Sequence, residues 1–260
     1  MSENPALYFK RYRESFGFPN QNAAKQFLAG KDVSPSVDFA YINRLNERLN
    51  DIIVKLNAMM NEHCRVLDMD AFTQQYIDEP YQIIKEANLL PRLNNQGRRP
   101  EQVLFSWLRG YVVSAYFTPA FSQIFDVPLT SVVQVGDDDL RTIETFRRSP
   151  KADLEITRNH RTIRIEVQSG FQGINDIKEH KVREARRVYA ELGTHSICIH
   201  IDLFNGQVAF VQLDSIQEDD VHFVTRQQME GQSVFAIDQN DFKWRLLDDL
   251  PNFDDLELSL

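Results

Sequence analysis

Helical periodicity over the first third of the chain, then strand-like alternation from residue 131 onward with a helix between strands, predicts an α/β protein. The expected architecture is a mixed β-sheet core flanked by helices, with a helical N-terminal region. Phe39, Ile42, Leu45, Leu49, Ile52, Ile53, Leu56 and Met59 recur three or four residues apart, which suits one long amphipathic helix. Ser34 followed by Pro35 offers its start signal. Shorter helices are predicted over 22–28 and 69–87. The first of these and the long helix, with Gly30 between them, have the spacing of a helix-turn-helix, a signal that a plain packing pair gives as readily. Turn formers and charge replace the periodicity over 91–100, which sets a boundary between a helical region, 1–95, and an α/β core with an acidic tail, 96–260. The core opens with a strongly apolar helix over 101–117. Strands are predicted over 131–135, 152–156, 162–168, 196–203, 207–213 and 234–237, with a helix over 174–192 joining the third to the fourth.

Composition narrows the function classes. The chain of 260 residues is 42% hydrophobic, enough to bury a core without staples. Its two cysteines, Cys64 and Cys198, stand too far apart for a C-x-x-C pair, which argues against a disulfide framework or a cysteine zinc site. The first residues contain no apolar signal region and no stretch is long enough to span a bilayer, so a cytoplasmic protein with no membrane partner is expected. The six histidines lack zinc spacing, and His200 in its apolar run reads as a satisfied interior residue. Phosphate-loop and nucleophile-elbow motifs are missing, so no nucleotide cofactor is expected. The net charge of −9 is unevenly spread: residues 141–187 hold twelve Lys/Arg against seven Asp/Glu, whereas 236–260 hold seven acids and two bases. A basic centre can therefore present a local positive field despite the total.

The chemistry concentrates in 150–168, PKADLEITRNHRTIRIEVQ. Alternation puts Leu154 and Ile156 on one face of the first strand and Asp153 and Glu155 on the other. In the second, Ile163, Ile165 and Val167 face inward while Arg164, Glu166 and Gln168 face away. The segment 158–161 suits a hairpin turn, with Asn159 able to take a positive φ. Antiparallel pairing then brings Asp153 and Glu166 together at one sheet edge. Two adjacent carboxylates repel unless a cation or proton joins them, and oxygen ligation favours Mg²⁺. A metal-acidified water can attack a phosphodiester.

At these residues the chain resembles the PD-(D/E)xK nuclease superfamily, and within it the type II restriction endonucleases that carry an E-x-Q form. Pro150 lies three residues before Asp153 rather than directly before it, and Gln168 replaces the usual lysine. The resemblance covers roughly 100–213 and implies a restriction-endonuclease-like core. It further implies that Asp153, Glu166 and the Val167 carbonyl bind Mg²⁺, and that Gln168 orients the attacking water or contacts the phosphate. A glutamine carries no charge and takes no proton, so a general-base role does not transfer. Glu101 resembles the accessory acid of some members, and Glu155 is a candidate third ligand. Both also suit plain structural uses, helix N-terminal compensation for Glu101 and solvent exposure for Glu155. Asp176-Ile-Lys178 and Asp241-Phe-Lys243 are decoys, the first expected to cap a helix and the second to follow a turn. Gly170 and Gly173 would let backbone approach a phosphate, and Lys178, Lys181, Arg183 and Arg186 would track the DNA backbone. The expectation is a homodimeric, Mg²⁺-dependent, site-specific endonuclease acting on double-stranded DNA. A repair or structure-selective nuclease of the same superfamily and a non-catalytic DNA-binding or scaffold protein are the alternatives.

Overall fold

The computed structural model describes residues 5–30, 33–93, 98–135, 153–217, 221–226 and 231–260. The expectations that fall on Pro150 and Ala152 and on the basic residues from 141 to 151 lie outside the described residues. The fold is mixed α/β with a helical N-terminal region. Helices α1 (Pro5–Ser15), α2 (Gln21–Leu28) and α3 (Phe39–Met59) come first. After them come α4 (Met69–Thr73), α5 (Glu79–Glu86) and α6 (Pro100–Ile124). Strands β1 (Val132–Gln134), β2 (Leu154–Arg158), β3 (Arg161–Gly170) and β4 (Asp176–Lys178) lead to α7 (Glu179–Leu192). The chain closes with β5 (His195–Asp202), β6 (Gln207–Gln212), β7 (Val224–Arg226), β8 (Gln232–Ala236) and β9 (Phe242–Arg245).

The long helix α3 falls where its periodicity predicts, but it starts at Asp38, not at the Ser34–Pro35 signal. The Asp38 carboxylate accepts the Tyr41 amide at 2.9 Å, which satisfies a donor that the first turn leaves orphaned. The predicted helix over 69–87 is interrupted by a π-helical turn, Gln74–Asp78, just ahead of Pro80. Proline has no N–H to give to the regular ladder, so the preceding turn widens. Helix α6 runs seven residues past its expected end at Phe117, straight through Pro119. Proline inside a helix costs about 3 kcal/mol. Burying Phe121 and Ile124 beside Phe117 offsets that, since each fully buried large apolar side chain contributes roughly 1.5–3 kcal/mol.

The main sheet has the order β1-β2-β3-β5-β6-β9, and β3 and β5 are its parallel pair. The crossover between them carries β4 and α7. A second sheet, β4-β8-β7, is antiparallel. One face of the main sheet buries Leu154, Ile156, Ile163, Ile165, Ile197 and Ile199 in a cluster shared with α3 and α6. That cluster is continuous from Ile42 to Leu256, so the N-terminal helices and the sheet share one core. The opposite face packs Cys198, Ala209 and Val211 against Val182 and Ala185 of α7 and Ile177 and Phe235 of the smaller sheet. Among the described residues no helix is long and apolar enough to cross a membrane.

Candidate functional site

The β2–β3 hairpin turns through Asn159 (φ 50°) and His160 (φ 63°), the paired positive φ values of a type I′ turn. Its register sets Leu154 opposite Ile165 and Glu155 opposite Arg164. Asp153 stands just ahead of β2. Its amide donates to the Ile165 carbonyl at 3.1 Å, and its carboxylate Oδ2 accepts the Val167 amide at 2.8 Å. The two bonds fall on either side of Glu166 in β3, so the Asp153 backbone lies alongside that residue. Along a strand the N–H and C=O of one residue point to the same edge. The Val167 carbonyl therefore faces the edge on which Asp153 sits, beyond the start of β2.

Glu166 is paired in register with Cys198 of β5 and forms an ion pair with the Lys181 ammonium, which descends from α7. Burial pushes the Cys198 thiol well above its ordinary value. Glu166 adds to that shift, Lys181 opposes it and Asp153 adds again, so three charged groups converge on one thiol. Both cysteines are free, Cys198 buried and Cys64 partly so.

Gln168 is placed otherwise than its implied role needs. Its Nε2 donates to the Asp176 carbonyl at 2.8 Å, and its Oε1 lies 4.0 Å from the Cys198 Sγ. The side chain ties β3 to β4, and a tethered amide is poorly placed to orient a water. The cation beside the acids comes instead from Lys181. Sequence reasoning named Lys181 but set it on a phosphate track. Its spacing did hold the clue: it directly precedes Val182, the first residue of the packed face of α7, and so sits at the rim between helix and sheet.

The remaining candidates divide. Glu101, expected as an accessory acid, is fully buried and engaged elsewhere: Oε1 accepts the Asp38 amide at 2.7 Å, and Arg99 chelates both oxygens at 2.9 and 3.1 Å. Burial pushes its carboxyl up, but the Asp38 amide and the Arg99 guanidinium outweigh it and hold the group below the ordinary carboxylate value. The accessory-acid role is corrected to a brace between the starts of α3 and α6. Glu155, read as a third ligand or an exposed carboxylate, is half-exposed and lies 3.8 Å from Arg164 across the strand pair. Arg183 pairs with Glu179 one turn back, and Arg186 reaches Gln217 at 3.5 Å, so these two present a solvated helix face. Lys178 ends β4 beside His180, whose imidazole is pushed down by burial and then by Lys178 and Lys181.

Asp176 is a strand residue, not a helix cap. It opens β4, with two residues between it and α7, and its buried carboxylate accepts from the Arg226 Nε at 3.0 Å. Asp241 ends a short 3₁₀ turn, in keeping with its reading as a decoy. Gly170, read as a place for close phosphate approach or a sharp turn, packs against a side chain: a Cβ there would come within 3.1 Å of the His200 Nε2. His200 is buried as expected, with Nε2 2.8 Å from the Asn175 Oδ1, but its Nδ1 has no partner. Asn175 and Asn205 both donate to the buried Asp202, at 3.0 and 2.7 Å, a network the sequence reading missed. The D-x-x-N turn at 202–205 was its only local signal.

Among the described residues no three His, Cys, Asp or Glu side chains cluster as metal ligands. The hairpin offers a different donor set, two carboxylates and a peptide carbonyl, all hard oxygens. Mg²⁺ commonly takes one or two carboxylates and retains waters, so this chemistry fits the ion. No protein-family model matches the chain, and no curated protein matches it.

Proposed function

We propose that the chain is a type II restriction endonuclease that hydrolyses phosphodiester bonds at a specific sequence of double-stranded DNA with Mg²⁺, working as a homodimer. The observation that carries this reading is the bracket of Asp153 around Glu166, with an ammonium on the second acid. Neighbouring carboxylates cost energy unless something positive joins them, and the hard oxygens of this hairpin suit a divalent cation. Asp153, Glu166 and the Val167 carbonyl would hold the ion, which when bound supplies an acidified water and neutralises charge building on the phosphate.

The protein's own groups do the rest. The Val167 amide fixes the Asp153 carboxylate, and the β3–β5 register fixes Glu166 against the sheet. Lys181 pairs with Glu166 and can donate to a phosphate oxygen, taking over the place that Gln168 leaves vacant by its bond to Asp176. Palindromic duplex sites match two-fold proteins, which is the reason for expecting two copies.

The test is incubation with plasmid DNA and MgCl₂ beside an EDTA control. Discrete fragments in magnesium alone, with Asp153→Ala and Glu166→Ala each slower by roughly 100-fold or more, are expected. Ragged or structure-dependent products would move the reading to a repair nuclease. Intact plasmid throughout would overturn it.

A further inference from the structure

Helix α1 buries none of its residues, and α2 buries only Ala24. Even so, Leu7, Tyr8, Phe9, Tyr12, Phe16 and Phe27 are each more than half exposed. The rings form a connected ladder: Tyr12 to Phe16 at 5.9 Å, Phe16 stacked on Phe18 at 5.5 Å, and Phe18 to Phe27 at 5.2 Å. At 100° per residue, Pro5, Tyr8, Phe9, Tyr12 and Phe16 share one stripe of α1, flanked by Lys10, Arg11 and Arg13. A large aromatic side chain buries about 150–250 Å², so six side chains at half exposure leave roughly 600 Å² of apolar surface on this arm. That reaches the upper end of the ~300–600 Å² found for the largest patch on a typical monomer.

A surface of matching character lies elsewhere on the chain. Phe204, in the β5–β6 turn, and Leu247, just past β9, are both strongly exposed. Their turns are joined by the Leu246 amide on the Gly206 carbonyl at 2.9 Å. Asp248 follows Leu247 directly, and after it Asp249 accepts the Asn61 Nδ2 at 2.7 Å. From the exposed Arg245 that ends β9 to Leu260 the chain carries five acids against that one base. The arm is aromatic with a basic rim, and this patch is apolar with an acidic rim. Like charge disfavours pairing one α1 with another, whereas opposite charge favours pairing α1 with the patch.

We infer that the α1–α2 arm of one copy docks on the Phe204–Leu247 patch of a second copy, and that the exchange is reciprocal about a two-fold axis. Two exchanged arms present about 1,200 Å², and the surfaces that receive them about as much again, beyond the ~1,600 Å² of a standard stable interface. The inference rests on the dimer of the proposed reading but not on its chemistry.

Sedimentation of the full chain tests it. The wild type is expected at about twice its 30.3 kDa mass at micromolar concentration. Tyr12→Asp with Phe16→Asp, both exposed, should weaken self-association at least 100-fold while far-ultraviolet dichroism stays unchanged. Arg11→Glu with Arg13→Glu should weaken it about tenfold, and so should Asp248→Lys with Asp249→Lys. A mixture of those two charge-reversed chains should recover a heterodimer in which both contacts are complementary, one native and one charge-swapped. A monomeric wild type, or a dimer indifferent to the arm substitutions, would overturn the inference. So would a monomer whose arm instead binds anionic vesicles or single-stranded DNA. Plasmid cleavage is scored separately, so an inactive dimer would count against the nuclease reading alone.

Discussion

The two faces of β3 have opposite uses. On one, Ile163 and Ile165 are buried with Val167 partly so, against helices that add Leu104, Leu108, Val112 and Phe117. On the other, Arg164, Glu166 and Gln168 face α7 and the smaller sheet, and each finds a polar partner. Period-two alternation turns one strand into both a wall of the core and a platform for charge. The apolar face supplies rigidity, because closely packed side chains resist displacement. The polar face can then carry charged side chains without the hairpin splaying.

This contrast has measurable consequences. The largest lies on the apolar side: Phe117→Ala should cost about 3–5 kcal/mol in the free energy of denaturant unfolding, the range for deleting a buried aromatic. A loss under 1 kcal/mol would mean that this face is not close-packed.

The next tests a polar group buried without charge. Burial holds the His200 imidazole down at about 4 from an ordinary 6.5, even though Asp202 and Asp176 pull it upward. The ring is neutral in the fold, and the unfolded chain takes up the proton first. Stability should therefore be full above pH 6.5 and fall as pH drops toward 4, by about 3 kcal/mol at 1.36 kcal/mol per unit. His200→Gln should flatten that slope when denaturant midpoints at pH 7 and 4.5 are compared. An unchanged slope would place the acid sensitivity in other groups.

Glu166→Gln should change unfolding free energy by only ~1 kcal/mol or less, since a partly exposed ion pair contributes little. Activity should nonetheless fall by roughly 100-fold or more. Equal loss of both would make Glu166 structural. The smallest effect has the opposite sign: His160→Gly should stabilise by about 0.5–1 kcal/mol, because Asn-Gly suits a turn with two positive φ values better than Asn-His.

The parts of the fold legible in the sequence are those whose burial repeats locally. Eight apolar positions announce the body of α3, though not the Asp38 cap that starts it, and the alternation in 153–168 places β2, β3 and their antiparallel pairing. β4 and β7, at three residues each, are too short to show a period, and β4 merges into the charged run that begins α7. β9 hides behind the turn at Gln239–Asp241. α1 escapes because its aromatics face outward and record no core. The partners of Glu101, Gln168 and Lys181 are set by tertiary contact. Asp38 lies 63 positions from Glu101 and Lys181 lies 15 from Glu166, and no local pattern joins them. Glu101 shows the cost of reading an acid by position alone, since its carboxylate serves two helix starts.

The claim that β2 and β3 together hold a divalent cation is tested most directly by calorimetric titration of Mg²⁺ into the full chain, beside Asp153→Asn and Glu166→Gln. The expected result is saturable binding by the wild type and at least tenfold weaker binding by each variant, with far-ultraviolet dichroism unchanged. Binding by all three proteins with one affinity, or by none, would contradict it.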